Sequence, residues 1–263
     1  MHCHLNFKAF SNDYDEVIKR AADAGVTTII NVGTKIDSSQ KAVELAQKYD
    51  NLYAIVGVHP HHADKVELGS DWLSQIERLA KQPKVVAIGE IGLDNYRYQS
   101  NGITDPKAQQ ELFEAQIMLA HKLKLPLQIH NRHAGKQILE ILTHHKNELL
   151  NPPGMFHCFA GNIDILQSAL RMGFYIGFDG NITYPGLAPG EDTSLPNLVK
   201  ATPLDRIVIE TDSPYLTPTP HRGSRNEPQY AILVGKAIAQ IKAVKLNQVD
   251  NQTTENVRTL FNL

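Results

Sequence analysis

The sequence predicts an α/β fold, a (β/α)8 TIM barrel, and three observations lead to that prediction. The chain has 263 residues, and a single barrel of this kind uses about 250. Eight short runs rich in apolar and β-branched residues recur along it, mostly separated by segments with helical spacing. Strands that alternate with helices form parallel sheets, and eight of them close into a barrel. We therefore expect a single TIM-barrel domain over residues 1–263.

The predicted strands follow one another from the first residues to the last quarter of the chain. They are "HCHL" from His2, "TTIINVG" from Thr27, "LYAIVGVH" from Leu52, "KVVAIGEIGLD" from Lys84, "LPLQIH" from Leu125, "GMFHCF" from Gly154, "GFYIGFDG" from Gly173 and "DRIVIETD" from Asp205. The first run is short for a strand, and only Met1 precedes it. We expect a first strand truncated at its N-terminus, with an exposed barrel seam and loosened positions for His2 and His4.

Helices are predicted between the strands. The segment "NDYDEVIKRAADAG" predicts a helix with Asn12 as its N-cap and Gly25 beyond its end. A second helix is predicted over Pro106–Leu123, where one helical face carries Leu112, Phe113, Ile117 and Ala120. The last helices, from about Tyr230, complete the outer ring.

Composition excludes several classes of protein. Lys and Arg number 26 against 28 Asp and Glu, so any contact with nucleic acid must be local. The two cysteines, Cys3 and Cys158, are too few for a disulfide framework and predict buried structural thiols. The sequence shows neither a signal peptide nor an apolar run of about 20 residues, so we expect a cytoplasmic protein without a membrane segment. No obligate protein partner is evident.

Histidines and carboxylates lie near the ends of five predicted strands. Side chains two residues apart on a strand share a face, and parallel barrel strands direct their carboxyl ends toward a common mouth. The residues that this arrangement brings together are His2, His4, Glu90, His130, His157 and Asp212. Any one of these histidines alone would fit a core or surface position. Four imidazoles and two carboxylates together predict two divalent ions, bridged by Glu90 from the middle strand.

Further polar residues near the mouth are candidates for substrate binding. Arg132 follows the fifth predicted strand, and the proline-rich loop "SPYLTPTPHRGSRNEP" carries Arg222 and Arg225, whose guanidinium groups suit a phosphate or carboxylate. Alternatively, these loop arginines pair with Glu227 or with carbonyl groups and fix the loop. His59, in "HPHH", would face the substrate or support the metal ligands.

These residues and their order resemble the TatD family of metal-dependent deoxyribonucleases, which are amidohydrolase-like barrels. The resemblance covers nearly the whole chain. Its motifs, in family order, are "HCHLNF", "GVHPH", "GEIGLD", "LPLQIHNR", "HCFAG" and "ETDSPYLTPTPHRGSRNEP".

The resemblance implies a specific site and activity. One ion would be held by His2, His4, Glu90 and Asp212, and the other by Glu90, His130 and His157. The activity implied is hydrolysis of DNA, often from the 3′ end, with single-stranded DNA as substrate. Catalysis would rest on Glu90 and on Asp212, which would accept a proton from the attacking water. Mg²⁺, Mn²⁺ and Zn²⁺ all stay open as the cofactor.

Two departures from the family pattern keep other functions open. The family usually has an Asp before the His-x-His motif, where this chain has only Met1, and commonly an Asp where this chain has His133. One alternative is an ester or amide hydrolase of the same barrel type, for example one acting on D-aminoacyl-tRNA. A second is a catalytically impaired barrel that serves as a binding or scaffold protein.

Overall fold

Seven parallel strands form one curled sheet, with neighbours in the order in which they occur along the chain. A computed structural model describes residues 1–65, 71–97, 104–187 and 190–263. The strands are β1 Ile29–Val32, β2 Leu52–Val56, β3 Val85–Asp94, β4 Leu127–Arg132, β5 Gly154–Phe156, β6 Tyr175–Phe178 and β7 Ile207–Ile209. All six neighbouring pairs are parallel, which confirms the predicted barrel-type α/β fold.

The eighth place in the sheet is taken by Cys3, where the short, truncated first strand expected from "HCHL" is reduced to single bridges. Within the described residues, Cys3 forms isolated parallel bridges to Asn31 in β1 and to Ser213 beyond β7. The Cys3 amide donates to Ile30 O at 3.2 Å, and the His4 amide donates to Ser213 O at 2.8 Å. Bonds on both sides of this short segment join the two edges of the sheet.

The expected loosening at the start of the chain is also not what the structure shows. The Asp212 amide donates to His2 O at 3.1 Å, and the Met1 amino group donates to Ile209 O at 3.1 Å. The side chains of His2 and His4 are buried. Both histidines are therefore fixed by the backbone bonds that span the seam.

Nine helices are described around and beside the sheet. They are α1 Tyr14–Asp23, α2 Ile36–Lys48, α3 Trp72–Ala80, α4 Pro106–Leu123, α5 Gly135–His144, α6 Ile163–Arg171, α7 Leu195–Ala201, α8 Ala231–Lys242 and α9 Leu246–Phe261. Helix α4 has the predicted bounds, whereas α1 takes Asp13 rather than Asn12 as its N-cap. None of the helices described combines the length and the apolar composition that crossing a bilayer requires.

Alternate residues pack on opposite sides of the sheet in most strands, whereas β3 has an irregularity between Ile88 and Ile91. One set, which includes Val56, Ile129 and Phe156, joins the helices in the main hydrophobic core. The other set, which includes Ile55 and Met155, forms a separate cluster with Phe261 of α9. The second set contains no residue from the helices that cover the outer face, apart from the end of α9. It therefore faces the barrel interior. Residues of this inward set at the carboxyl ends of the strands therefore point into the mouth.

Asn31 stabilises the closure of the barrel through its side chain. This residue is fully buried in β1, and its Oδ1 accepts a hydrogen bond from the Leu5 amide at 2.8 Å. We expect Asn31→Ala to lower the free energy of unfolding by about 1–3 kcal/mol, because the buried amide of Leu5 would lose its partner. Urea unfolding measures this change, with Asn12→Ala on the exposed surface as a control that should shift stability by less than about 0.5 kcal/mol. Equal losses in the two variants would contradict the role of Asn31.

Candidate metal centre

The carboxyl ends of the strands bring the six predicted ligands into one cup. In β4, the side chains of Gln128 and His130 both point inward. In β5, Met155 points inward, and His157, two residues later and just beyond the strand, keeps that direction. In β7, Val208 points inward, and Asp212, four residues later and beyond the strand end, keeps it as well. Mostly apolar side chains thus fill the lower barrel, and the candidate metal ligands occupy its mouth, where barrel enzymes have their active sites.

One group of potential ligands combines two histidines from the start of the chain with Asp212, which follows β7. The Asp212 Oδ1 atom lies 3.6 Å from His2 Nε2 and 3.4 Å from His4 Nε2, and the two histidine Nε2 atoms are 3.1 Å apart. The His4 Nδ1 atom lies 2.9 Å from Val32 O, which orients the ring. These three side chains present their ligand atoms to one point, as a metal site requires.

Glu90, from β3, lies between this group and a second one. Its Oε1 is 2.8 Å from His130 Nδ1 and 3.8 Å from His157 Nε2. Its Oε2 is 3.7 Å from His2 Nε2. The two oxygens thus face histidines of different groups, which is the position that a bridging carboxylate would need.

His59 also approaches this carboxylate. Its Nε2 atom lies 3.6 Å from Glu90 Oε1, and its ring contacts the ring of His130 with the centroids 4.3 Å apart. His59, Glu90 and His130 form a further group able to hold a cation. His59 therefore lies inside the cup, where it would either face the substrate or support the metal ligands.

Two carboxylates of the cup, Glu210 and Asp94, are not among the ligands predicted from the sequence. Glu210 is completely buried, and its Oε2 lies 3.0 Å from His157 Nδ1 and accepts from the Cys158 amide at 2.8 Å. Asp94 Oδ2 lies 3.1 Å from His130 Nε2 and 3.0 Å from His61 Nε2. Both carboxylates were recognisable from their spacing, because Glu210 precedes Asp212 by two residues and Asp94 follows Glu90 on the same side of its predicted strand.

Burial and charge divide the histidines into two kinds. Burial lowers the pKa of His2 and of His59 well below the usual value, so both rings are neutral and carry a free electron pair. Burial also acts against protonation of His130 and His157, but nearby carboxylates outweigh it. Asp94 and Glu90 raise the pKa of His130 to about 9, and Glu210 raises that of His157 to about 10. The carboxylates of the cup thus favour the protonated, positively charged form of His130 and of His157.

The donor set fits divalent metal ions. Imidazole nitrogens and carboxylate oxygens are ligands for Zn²⁺ and Mn²⁺, and carboxylates also serve Mg²⁺. Two buried atoms at this place, His2 Nδ1 and Glu210 Oε1, have no hydrogen-bond partner in the part of the chain that the structure describes. These atoms are 3.8 Å apart. A cation would compensate the unpaired carboxylate oxygen, and its binding would displace protons from the charged histidines.

Two of the predicted substrate arginines lie against aromatic rings near the mouth. The guanidinium carbon of Arg132, at the end of β4, is 4.0 Å from the centroid of the Tyr96 ring. Arg222 is exposed and lies 4.0 Å from the centroid of the Tyr184 ring. Each ring holds its guanidinium by a cation–π contact.

Arg225 forms contacts that fix the proline-rich loop, which is the alternative to substrate binding that the sequence allows. It donates to both carboxylate oxygens of Asp13, at 2.9 and 2.6 Å, and to Glu227 at 2.9 Å. A further bond reaches Ala9 O at 2.7 Å. Hydrogen bonding to Arg225 lowers the pKa of Asp13. Arg225 thus joins the loop after β7 to the start of α1, and its guanidinium is already engaged by two carboxylates.

Comparison with known proteins finds relatives along nearly the whole chain. Residues 1–262 match the profile of the protein family described as "TatD related DNase". The chain is 38% identical over 263 residues to the "Uncharacterized metal-dependent hydrolase YabD" of Bacillus subtilis, covering 100% of this chain and 98% of that protein. It is 36% identical over 264 residues to the "3'-5' ssDNA/RNA exonuclease TatD" of Enterobacter lignolyticus, covering 98% and 96%.

Solved structures show the same architecture. The TatD homologue YjjV of Escherichia coli superposes with a TM-score of 0.90 at 30% identity, over 100% of this chain and 97% of that chain. A hydrolase of Entamoeba histolytica described as a TatD family protein gives a TM-score of 0.85 at 25% identity, over 98% and 96%. The phosphotriesterase homology protein of E. coli, at 17% identity and a TM-score of 0.68, shares the fold.

Proposed function

Since this chain belongs to the TatD family of metal-dependent hydrolases, we propose that it removes nucleotides from the 3′ end of single-stranded DNA by hydrolysing phosphodiester bonds. The observation that carries the proposal is the position of Glu90. Its two oxygens face His130 and His2, which belong to separate groups of potential metal ligands. Such an arrangement suits a pair of ions acting on one phosphodiester. The name of the E. lignolyticus relative also supports a single-stranded nucleic acid as substrate.

The proposed ligand set for two divalent ions uses the six residues of the cup. His2, His4, Glu90 and Asp212 would hold one ion, and Glu90, His130 and His157 the other. The chemistry that such ions supply when bound is polarisation of the phosphoryl oxygens and a lowering of the pKa of water to about 7. Glu210 would orient His157 through the contact to its Nδ1, and Asp94 would orient His130.

The side chains around the ions would position the substrate and move a proton. Asp212 is the most accessible of the four carboxylates in the cup, with 18% of its side chain exposed, so its free oxygen would accept the proton of the attacking water. Arg132 and Arg222 would hold the non-reacting phosphate oxygens. His59 would face the substrate beside Glu90.

The test is a product ladder from metal-stripped protein. A 5′-labelled single-stranded DNA oligonucleotide is incubated without metal and with Mg²⁺, Mn²⁺ or Zn²⁺ added back separately. An RNA of the same sequence and a blunt DNA duplex are run in parallel. We expect the single-stranded DNA to shorten from its 3′ end only when an ion is present. Intact oligonucleotide under every ion, or internal cuts alone, would contradict the proposal.

A further inference from the structure

A groove on the mouth side of the barrel adjoins the candidate metal centre. It encloses about 440 Å³, within the range of about 300–1,000 Å³ that small-molecule sites occupy. We name it the lysine groove and define it by Phe7, Lys8, Lys35, Lys41, Pro214 and Tyr215. We propose that the lysine groove binds the nucleotides on the 5′ side of the scissile phosphodiester, with a base stacked on Tyr215 and phosphates beside Lys8 and Lys41. This inference rests on the proposed function and adds the path of the uncleaved strand.

Two contacts place the lysine groove beside the cup. At one wall the ring of Phe7 stacks on the ring of His4, with the centroids 4.3 Å apart and the planes 12° from parallel. At the other wall the amide of Tyr215 donates to Asp212 O at 2.8 Å. Both His4 and Asp212 belong to the candidate metal centre. The lysine groove therefore borders the cup, on the side where His4 and Asp212 lie.

The charge of the lysine groove suits a polyanion. Three lysines line it against one carboxylate, that of Asp37. Lys35 Nζ pairs with Asp37 Oδ2 at 2.8 Å, which neutralises that lysine. Lys8 and Lys41 are exposed, and neither forms an ion pair with any residue that the structure describes. Two positive charges thus remain for the substrate, although the whole chain carries a net charge of −2.

Tyr215 provides an exposed aromatic surface on a fixed backbone. Its side chain is 55% exposed, which is unusual for a large ring. Besides the bond from its amide to Asp212, its carbonyl oxygen accepts from Asn226 Nδ2 at 2.5 Å. Proteins that bind single strands without sequence preference combine such rings with a basic groove, because every base has a face that can stack. An exposed ring beside two unpaired lysines matches that combination.

Because the lysine groove is exposed, it suits the strand that continues on the 5′ side better than it suits the terminal nucleotide as a ligand. Lys8, Lys35 and Lys41 are exposed along it, so a ligand would lie partly in solvent. A strand of any length leaves the site over such a surface without steric conflict. The terminal nucleotide, in contrast, has to be recognised at its 3′ hydroxyl inside the cup.

Equilibrium binding tests the role of the ring without hydrolysis. The affinity of metal-stripped protein for a 5′-fluorescein-labelled single-stranded oligodeoxythymidylate is measured by fluorescence anisotropy. We expect Tyr215→Leu to raise Kd about tenfold, since one stacked base contributes on that order. Tyr215→Phe keeps the ring and should bind like wild type. Equal Kd values for wild type and Tyr215→Leu would overturn the stacking role.

The salt dependence of binding tests the lysines. For single strands, the slope of log K against log salt concentration changes by about 0.7 for each phosphate that is neutralised. We expect the double variant Lys8→Ala/Lys41→Ala to lose about 1.4 from this slope. The control is Lys19→Ala/Lys146→Ala, which removes the same charge from exposed positions outside the lysine groove. Equal slopes in the two double variants would overturn the phosphate contacts.

Hydrolysis of substrates of increasing length tests the polarity. Nucleotides added to the 5′ side of a dinucleotide would enter the lysine groove, so kcat/KM should rise with length in wild type and rise less in Tyr215→Leu. The same rise in both proteins would contradict the inference while the proposed nuclease function stands. A wild-type protein that neither binds nor shortens DNA would instead contradict the proposed function itself.

Discussion

Glu90→Gln is expected to reduce metal-dependent hydrolysis by at least about 10³-fold in kcat/KM, equivalent to about 4 kcal/mol of transition-state stabilisation. The amide has the size of the carboxylate but carries no charge and has only one oxygen. It therefore cannot face both His130 and His2 with an anionic oxygen. The measurement is the initial rate of 3′ shortening of a labelled oligonucleotide under saturating metal, together with the metal content of the purified protein.

The control for this variant is Glu44→Gln on the exposed surface of α2. It makes the same chemical change outside the cup and should keep the wild-type rate. Circular dichroism of both variants should match wild type, because Gln can occupy the buried position of Glu90 without a change of volume. Retention of the full metal-dependent rate by Glu90→Gln would remove Glu90 from the catalytic centre.

Gly92→Ala is expected to destabilise the fold more than any surface substitution, by about 3–5 kcal/mol. Gly92 pairs with His130 across β3 and β4 and has φ +140°, a conformation that side chains disfavour. A Cβ atom there would collide with the backbone carbonyl oxygen of His130. Backbone strain and overpacking each cost about 1–3 kcal/mol. Thermal unfolding should show a Tm lower by about 6–12 °C.

Gly25→Ala separates the two contributions. Gly25 follows α1 with φ +92°, and a Cβ atom there would meet none of the described atoms within 4 Å. This variant should cost only the backbone strain, about 1–2 kcal/mol. A Tm loss in Gly92→Ala no larger than that in Gly25→Ala would show that β3 and β4 can separate enough to admit a methyl group.

Periodicity predicted most of the architecture because inward and outward residues alternate along most of the strands. Seven of the eight predicted runs contain the strands, and helix α4 has its predicted bounds. The same alternation predicted that His130, His157 and Asp212 share a cup, and the structure brings them there with His2, His4 and Glu90. Strands β5 and β7 end before His157 and Asp212, but these two side chains still point to the inward face.

Pairing between strands could not be predicted in the same way. The alternation assigns Glu210 and Asp94 to a face, but the register of neighbouring strands decides which histidine each one contacts. Likewise, the partner of Arg225 lies at Asp13, more than 200 residues earlier, so no local pattern distinguishes a loop-fixing arginine from one that binds substrate. Cys3 lies in the first predicted strand, but its two partners, Asn31 and Ser213, come from distant parts of the chain, so no local pattern predicts these bridges.

Closure of the barrel through Cys3 has a consequence for the order of folding. Bonds across this seam join residues separated by about 200 positions, such as Thr211 Oγ1 and His2 O with a separation of 209. Contacts of such high order form late, because the entropy of closing the long loop must be overcome first. During synthesis, His2 and His4 leave the ribosome before Asp212 and meet it only after the intervening chain has emerged. The metal binding proposed for this group would therefore report completed folding rather than assist its early steps.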